Sequence, residues 1–314
     1  MSKPIIRAEA GAFGAPAPVV SVSPVVLSAP GRGAELEVRV SAPVTGSGLP
    51  IIVFAHGYGS SSDGYLPLAH HWAARGFVVV QPTFLDSRTF GLGPDDPRTP
   101  SIWKLRIEDV TRVLDHLDVI EASVPGLTGR VDRSRVAAVG HSFGAQTVGM
   151  LLGARMRGPD GGLGDDLSDP RIKVGVLLCA GGRGGDALSP LAREHFPYLD
   201  QVYSEMTTPT LVVAGDRDAS PLTILGPEWF TDAYTLSPGP KSLLTLFGAE
   251  HMLGGISGYL VTETTDENPA RVAAVQRLTW AYLRTAFYPD DRAWPVACEE
   301  LMTSPNPQGR VESK

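Results

Sequence analysis

The chain has 314 residues, 43% of them apolar and 19% charged, and its 27 basic and 34 acidic side chains leave a net charge of −7. That composition fits one large soluble domain, or at most two smaller ones, with a core that needs no staples. It excludes a basic footprint for nucleic acid and any stretch of membrane-spanning length, and the two cysteines, Cys179 and Cys298, do not suggest a disulfide framework.

From the N-terminus, Arg7 and Glu9 interrupt any apolar run, so no signal-peptide core is predicted and the expected location is cytoplasmic. Residues 8–18 are small and Pro/Gly-rich, and residues 1–18 are expected to be a flexible segment. Val19–Leu27 and Glu35–Ser41 alternate as two antiparallel strands should, and Ile51–Ala55 is an apolar run of the kind buried on both faces. Tyr65–Arg75 reads as a helix ended by Gly76, and Phe77–Val80 as a strand stopped by Pro82. A polar loop over 83–100 leads to a helix from Ser101 to about Glu121, with apolar residues at helical spacing. Arg135–Val139 (strand), Phe143–Arg155 (helix), Lys173–Cys179 (strand), a helical segment within Ala187–Met206, and the strands Thr210–Ala214 and Ser242–Phe247 follow. Pro269–Phe287 closes as a helix. Such alternation implies a mainly parallel sheet covered by helices on both faces, in one domain over 19–290. A tail over 291–314 follows, partly packed, with Pro305–Lys314 expected to be disordered.

Between the strand ending at Val139 and the helix opening at Phe143 lies Gly140-His141-Ser142-Phe143-Gly144, a G-x-S-x-G motif in the strand–turn–helix setting it requires. The tight turn lifts the serine hydroxyl clear of the sheet, and Gly140 and Gly144 remove side chains that would clash there. A serine hydroxyl needs a base. Only His195 and His251 lie downstream of Ser142; His195 falls in a segment read as helical, whereas His251 follows the Ser242–Phe247 strand, where a base belongs. The acid should follow the strand Thr210–Ala214, in Gly215-Asp216-Arg217-Asp218; Asp218 is the candidate and Asp216 its rival, for the part that orients the imidazole. Backbone N–H groups of Phe143 and of Tyr58, in the loop His56-Gly57-Tyr58-Gly59, are the candidate oxyanion donors. His56 is expected to hold that loop. Tyr58, Phe84 and Trp103 are candidates for lining the substrate cleft. The adjacent His70 and His71 point in different directions on a helix, and no metal site is expected.

The segments Val53–Gly59, Val139–Gly144 and Ala249–His251 resemble the α/β-hydrolase superfamily, and among it the dienelactone-hydrolase-like, chlorophyllase-like and cutinase-type polyester hydrolases. The similarity covers roughly residues 20–290. It implies an eight-stranded, mainly parallel sheet without a large cap domain, and cofactor-free hydrolysis of small-molecule carboxylic esters, with Ser142, Asp218 and His251 as the triad. Two departures limit the implication. Ser142 stands where dienelactone hydrolases use cysteine, and Cys179-Ala180-Gly181-Gly182 stands where the polyester hydrolases carry a tryptophan. Alternatives on the same fold are an amidase or peptidase, a thioesterase or a phospholipase A-type lipid hydrolase, and beyond these a non-catalytic binding protein. Neither the acyl group nor the oligomeric state follows from the sequence.

Overall fold

A computed structural model describes residues 15–93, 95–158, 161–259 and 264–314. The sequence expectation for residues 1–14 lies outside them. The core is a sheet of nine strands, ordered β1-β2-β4-β3-β5-β7-β9-β10-β11. These are β1 (Val19–Leu27), β2 (Leu36–Pro43), β3 (Leu49–Ala55), β4 (Val78–Pro82), β5 (Val131–His141), β7 (Ile172–Leu178), β9 (Thr210–Gly215), β10 (Lys241–Leu246) and β11 (Gly309–Ser313). A separate two-stranded ribbon pairs β6 (Arg155–Met156) with β8 (Gln201–Val202).

The strands from β4 to β10 run parallel, and antiparallel pairs close the two ends, β1 on β2 and β2 on β4 at one, β11 on β10 at the other. All seven residues of β3, all five of β4 and all six of β9 are buried. Continuous burial of this kind requires cover on both faces. It comes from α1 (Leu66–Ala73) packed with α7 (Pro269–Phe287), and from α2 (Ile102–Asp115) packed with α4 (Phe143–Leu151). Trp72 donates from its indole Nε1–H to Thr279 Oγ1 at 3.0 Å, tying α1 to α7 through the core. No helix among the described residues is long and apolar enough to cross a membrane.

Three sequence expectations change. The long helix to Glu121 is broken at His116 (φ −116°, ψ 29°) into α2 and α3 (Leu117–Ser123). The Ala187–Met206 segment keeps only α5 (Pro190–His195) as α-helix before it bends into β8. The eight-stranded expectation is corrected to nine: the tail packs as α8 (Ala293–Thr303), and within Pro305–Lys314, expected to be disordered, lies β11. Five residues of β11 pair with β10, the backbones of Lys314 and Lys241 exchange hydrogen bonds of 2.9 and 3.0 Å, and Ser242 and Ser313 meet through their hydroxyls at 2.8 Å. A polar edge strand lacks the apolar signal on which the sequence reading relied. Cys179 and Cys298 are both free thiols.

Candidate active site

The parallel strands deliver their C-terminal ends to one rim of the sheet, where ligands bind in open α/β folds. β3 runs into His56–Gly59, β5 into Ser142, β7 into Cys179, β9 into Asp218 and β10 into His251. Ser142 adopts φ 56°, ψ −121°, a conformation that L residues avoid. The turn demands its glycines: a Cβ on Gly140 would land on the Gly144 carbonyl, and one on Gly144 on the Ala55 carbonyl. The Ser142 N–H donates to Leu178 O at 2.9 Å, so the strained turn is anchored to the neighbouring strand.

Ser142 Oγ lies 2.9 Å from His251 Nε2, and His251 Nδ1 lies 3.1 and 3.0 Å from the two carboxylate oxygens of Asp218. Asp218 is fully buried. The Cys179 thiol also donates to its carboxylate; burial, with that carboxylate beside it, holds the thiol well above its ordinary pKa. Asp216, exposed, instead accepts from the Gly248 N–H at 2.6 Å and steadies the loop before His251. The N–H groups of Glu250 and Gly254 both donate to Asp266, which is paired with Arg271. The His251 loop is thus held from both ends.

Across from Ser142, the loop after β3 is fixed by a buried ion pair absent from the sequence reading. Arg106 on α2 is fully buried and binds both oxygens of Asp86 at 2.7 Å. It also donates to the His56 carbonyl and to Thr147 Oγ1 on α4. Asp86 in turn accepts from the Gly59 N–H at 3.2 Å. The Gly57–Tyr58 peptide is therefore gripped on both flanks, and among the described residues neither the Tyr58 N–H nor the Phe143 N–H makes a hydrogen bond. Phe143 opens α4, so the positive end of that helix points the same way.

A one-way chain of donors links this loop to His251. Gly57 N–H donates to the Tyr65 hydroxyl (3.3 Å), Tyr65 O–H to His141 Nδ1 (2.8 Å), and His141 Nε2–H to the His251 carbonyl (2.8 Å). The direction holds only while His141 is neutral. Burial, with His251 beside it, lowers the His141 pKa to about 3. Burial and then Arg106 lower that of His56 to about 4, with its Nδ1–H donating to Gly57 O and its Nε2 accepting from Phe84 N–H. Unfolded, both would take up a proton near pH 6.5. Between that value and the folded pKa the unfolded chain binds more protons, so stability is full above 6.5 and lost as pH falls toward 4 and 3. Urea midpoints at pH 7.5, 6, 5 and 4 are expected to decline below 6.5, at up to about 1.4 kcal/mol per pH unit for each histidine. A flat profile down to pH 4 contradicts this account.

Ser142, Phe143, His251 and Tyr58 open onto a cavity of about 230 Å3, with Phe196, Tyr198, Leu222, Trp229 and Phe230 among its apolar walls. Of the three cleft candidates only Tyr58 lines it. Phe84 is fully buried beneath the site, between the His56 ring (4.8 Å) and the Arg106 guanidinium (4.1 Å). Trp103 lines a separate groove with Met150 and Met156. Apolarity marked both as buried or wall-forming, but not on which side. His195 does not line the cavity and is half exposed on α5. His141, Cys179 and His251 bring possible ligand atoms within 4.8 Å of one another, yet both His141 nitrogens already have protein partners.

Comparison with known proteins agrees with this architecture. The chain is 23% identical over 287 residues to platelet-activating factor acetylhydrolase of Bos taurus, an alignment covering 76% of this chain and 57% of that protein. It is 26% identical over 206 residues to cutinase est2 of Thermobifida alba, covering 66% of this chain and 54% of that one. The chain thus spans a little over half the length of the curated relatives it matches. Residues 52–307, from β3 to the turn before β11, match the alpha/beta hydrolase family, so the chain belongs to the alpha/beta hydrolase family.

Proposed function

We propose that the chain is a serine hydrolase of carboxylic esters, with Ser142 as nucleophile, His251 as general base and acid, and Asp218 as the carboxylate that orients the imidazole. The single observation that carries this reading is the continuous chain from Ser142 Oγ through His251 to buried Asp218, with links of 2.9 and 3.0 Å. The names of two relatives, an acetylhydrolase and a cutinase, are in keeping with acyl-ester cleavage.

In the first step Ser142 Oγ attacks the ester carbonyl while His251 Nε2 takes its proton. The Tyr58 and Phe143 N–H groups donate to the developing oxyanion; held before the substrate arrives, they need no reorganisation in the transition state. The imidazolium, stabilised by Asp218, then protonates the leaving alkoxide. Water, deprotonated by the same imidazole, attacks the acyl-enzyme and frees Ser142.

The test is a fluorophosphonate probe with peptide mapping, beside ester, thioester and amide substrates of one acyl length. The adduct is expected on Ser142, with a burst of nitrophenolate from the ester and little amide cleavage. Absence of both labelling and turnover overturns the reading, and faster amide than ester cleavage replaces it by an amidase.

A further inference from the structure

We propose that Trp229 sets the depth of the acyl pocket and makes the enzyme selective for esters of uncharged, apolar acyl groups of medium length. This rests on the serine-esterase reading and adds the substrate class to it.

Two spaces meet at Ser142, and they differ in character. One is the aromatic cavity, whose lining contains no Lys, Arg, Asp or Glu among the described residues. A carboxylate or ammonium on the bound group would be desolvated there without a partner, at a cost of several kcal/mol. The other is a groove along the loop after β3, lined by Arg88 and by the hydroxyl-bearing residues Ser60, Ser61, Ser87 and Thr89. Tyr58, Ser142 and His251 border both. An ester at Ser142 therefore has an apolar arm and a wet arm. The cavity suits the acyl group, which must stay while the intermediate is hydrolysed. The hydroxyl-lined groove suits the alcohol, which must leave through water.

One wall of the cavity is Trp229, buried to 2% exposure in the segment Pro227–Thr231 that follows the acid's loop. Its indole lies against the end of β7. A Cβ on Gly181 would approach the ring to 2.9 Å, and one on Gly182 would strike the Trp229 backbone. The ring is pinned by its Nε1–H, which donates to Arg183 O at 2.9 Å, and by Phe230, whose centroid is 5.2 Å away. Phe230 in turn stands 5.7 Å from the His251 ring. Trp229 is thus a rigid stop built against glycines. The cavity, about 230 Å3, exceeds the ~150 Å3 in which a protein cavity binds benzene. By that scale it takes a benzoyl group, or a straight acyl chain of about four to eight carbons.

The experiment is a kcat/KM series over p-nitrophenyl esters from acetate to dodecanoate for wild type, Trp229→Leu, Trp229→Phe and Gly181→Ala, with the fluorophosphonate adduct at Ser142 measured in each. In wild type, kcat/KM is expected to climb by up to about fourfold per methylene until the chain meets Trp229, and then to fall. Trp229→Leu should move the maximum to longer chains and raise the decanoate-to-butyrate ratio at least ~10-fold, as a few more buried methylenes allow. Trp229→Phe should do so less. Gly181→Ala adds a methyl group against the indole within the cavity lining and should move the maximum to shorter chains. Unchanged profiles in the variants that label at Ser142, or shifts in one common direction, overturn the proposal while leaving the esterase reading standing. Wild type without adduct or turnover removes both. If Trp229→Leu does not fold, the opposed shifts of Trp229→Phe and Gly181→Ala decide.

Discussion

Ser142→Ala is expected to lower kcat on p-nitrophenyl butyrate by about 10⁵- to 10⁶-fold with KM changed only a few-fold, the scale seen when a serine hydrolase loses its nucleophile. The substitution removes one atom and the 2.9 Å bond to His251 Nε2. It leaves the N–H of residue 142 on the Leu178 carbonyl, the Arg106–Asp86 grip on the Tyr58 loop and the walls of the cavity. Substrate should therefore still bind, and the remaining rate over water should come from the oxyanion donors and orientation alone. Alanine also has to adopt the left-handed backbone that Ser142 holds, so stability should change little in either direction. Steady-state kinetics beside a urea titration separates the two effects. Retention of more than about a tenth of the rate in a folded variant would falsify the role of Ser142.

Asp218→Asn should cost about 10⁴ in kcat, whereas Asp216→Asn should cost less than about tenfold. The two residues share a loop but not an environment. Asp218 is buried against His251 Nδ1, and an amide there can present N–H where the imidazole needs an acceptor, which favours the tautomer with the proton on the wrong nitrogen. Asp216 is exposed and its contact is a backbone N–H in the loop before His251, which the Asn amide oxygen can still accept, so the substitution should cost less than about 1 kcal/mol of stability. Equal losses in the two variants would return the choice between them to the state in which the sequence left it.

The parts legible in the sequence are those with a short-range physical signature. The alternation of apolar runs and helical spacing gives the parallel sheet, and G-x-S-x-G between a strand and a helix gives the turn at Ser142, because only glycine tolerates the backbone contacts there. Chain order directs attention to His251 over His195. Asp218 and Asp216 are separated only by burial, a property of the folded loop. The Arg106–Asp86 pair spans 20 residues and serves a loop 50 residues from Arg106; nothing local marks either side chain. Tyr65 and His141 read separately as a helix-start aromatic and a motif filler, and become a relay only across 76 residues. Trp229 has no local signal at all, although the Gly181-Gly182 pair it lies against belongs to the segment that stands where the resembled polyester hydrolases carry a tryptophan. Phe84 and Trp103 are apolar as wall residues would be, but packing puts Phe84 between His56 and Arg106 and Trp103 in a groove with Met150 and Met156.

The last strand has a consequence for how the molecule lives at high concentration. Without β11, the row of peptide groups along β10 would face solvent, on a segment (Lys241–Leu246) of which five of six residues are buried. An unpaired, apolar strand border is a template on which a second chain can add itself. β11 satisfies that border and replaces it with its own, which carries Arg310 and Glu312 in only five residues. Short, charged and polar, the new border offers a poor foothold for cross-chain pairing. The same polarity that hides this strand from a sequence reader disfavours cross-chain pairing along this border.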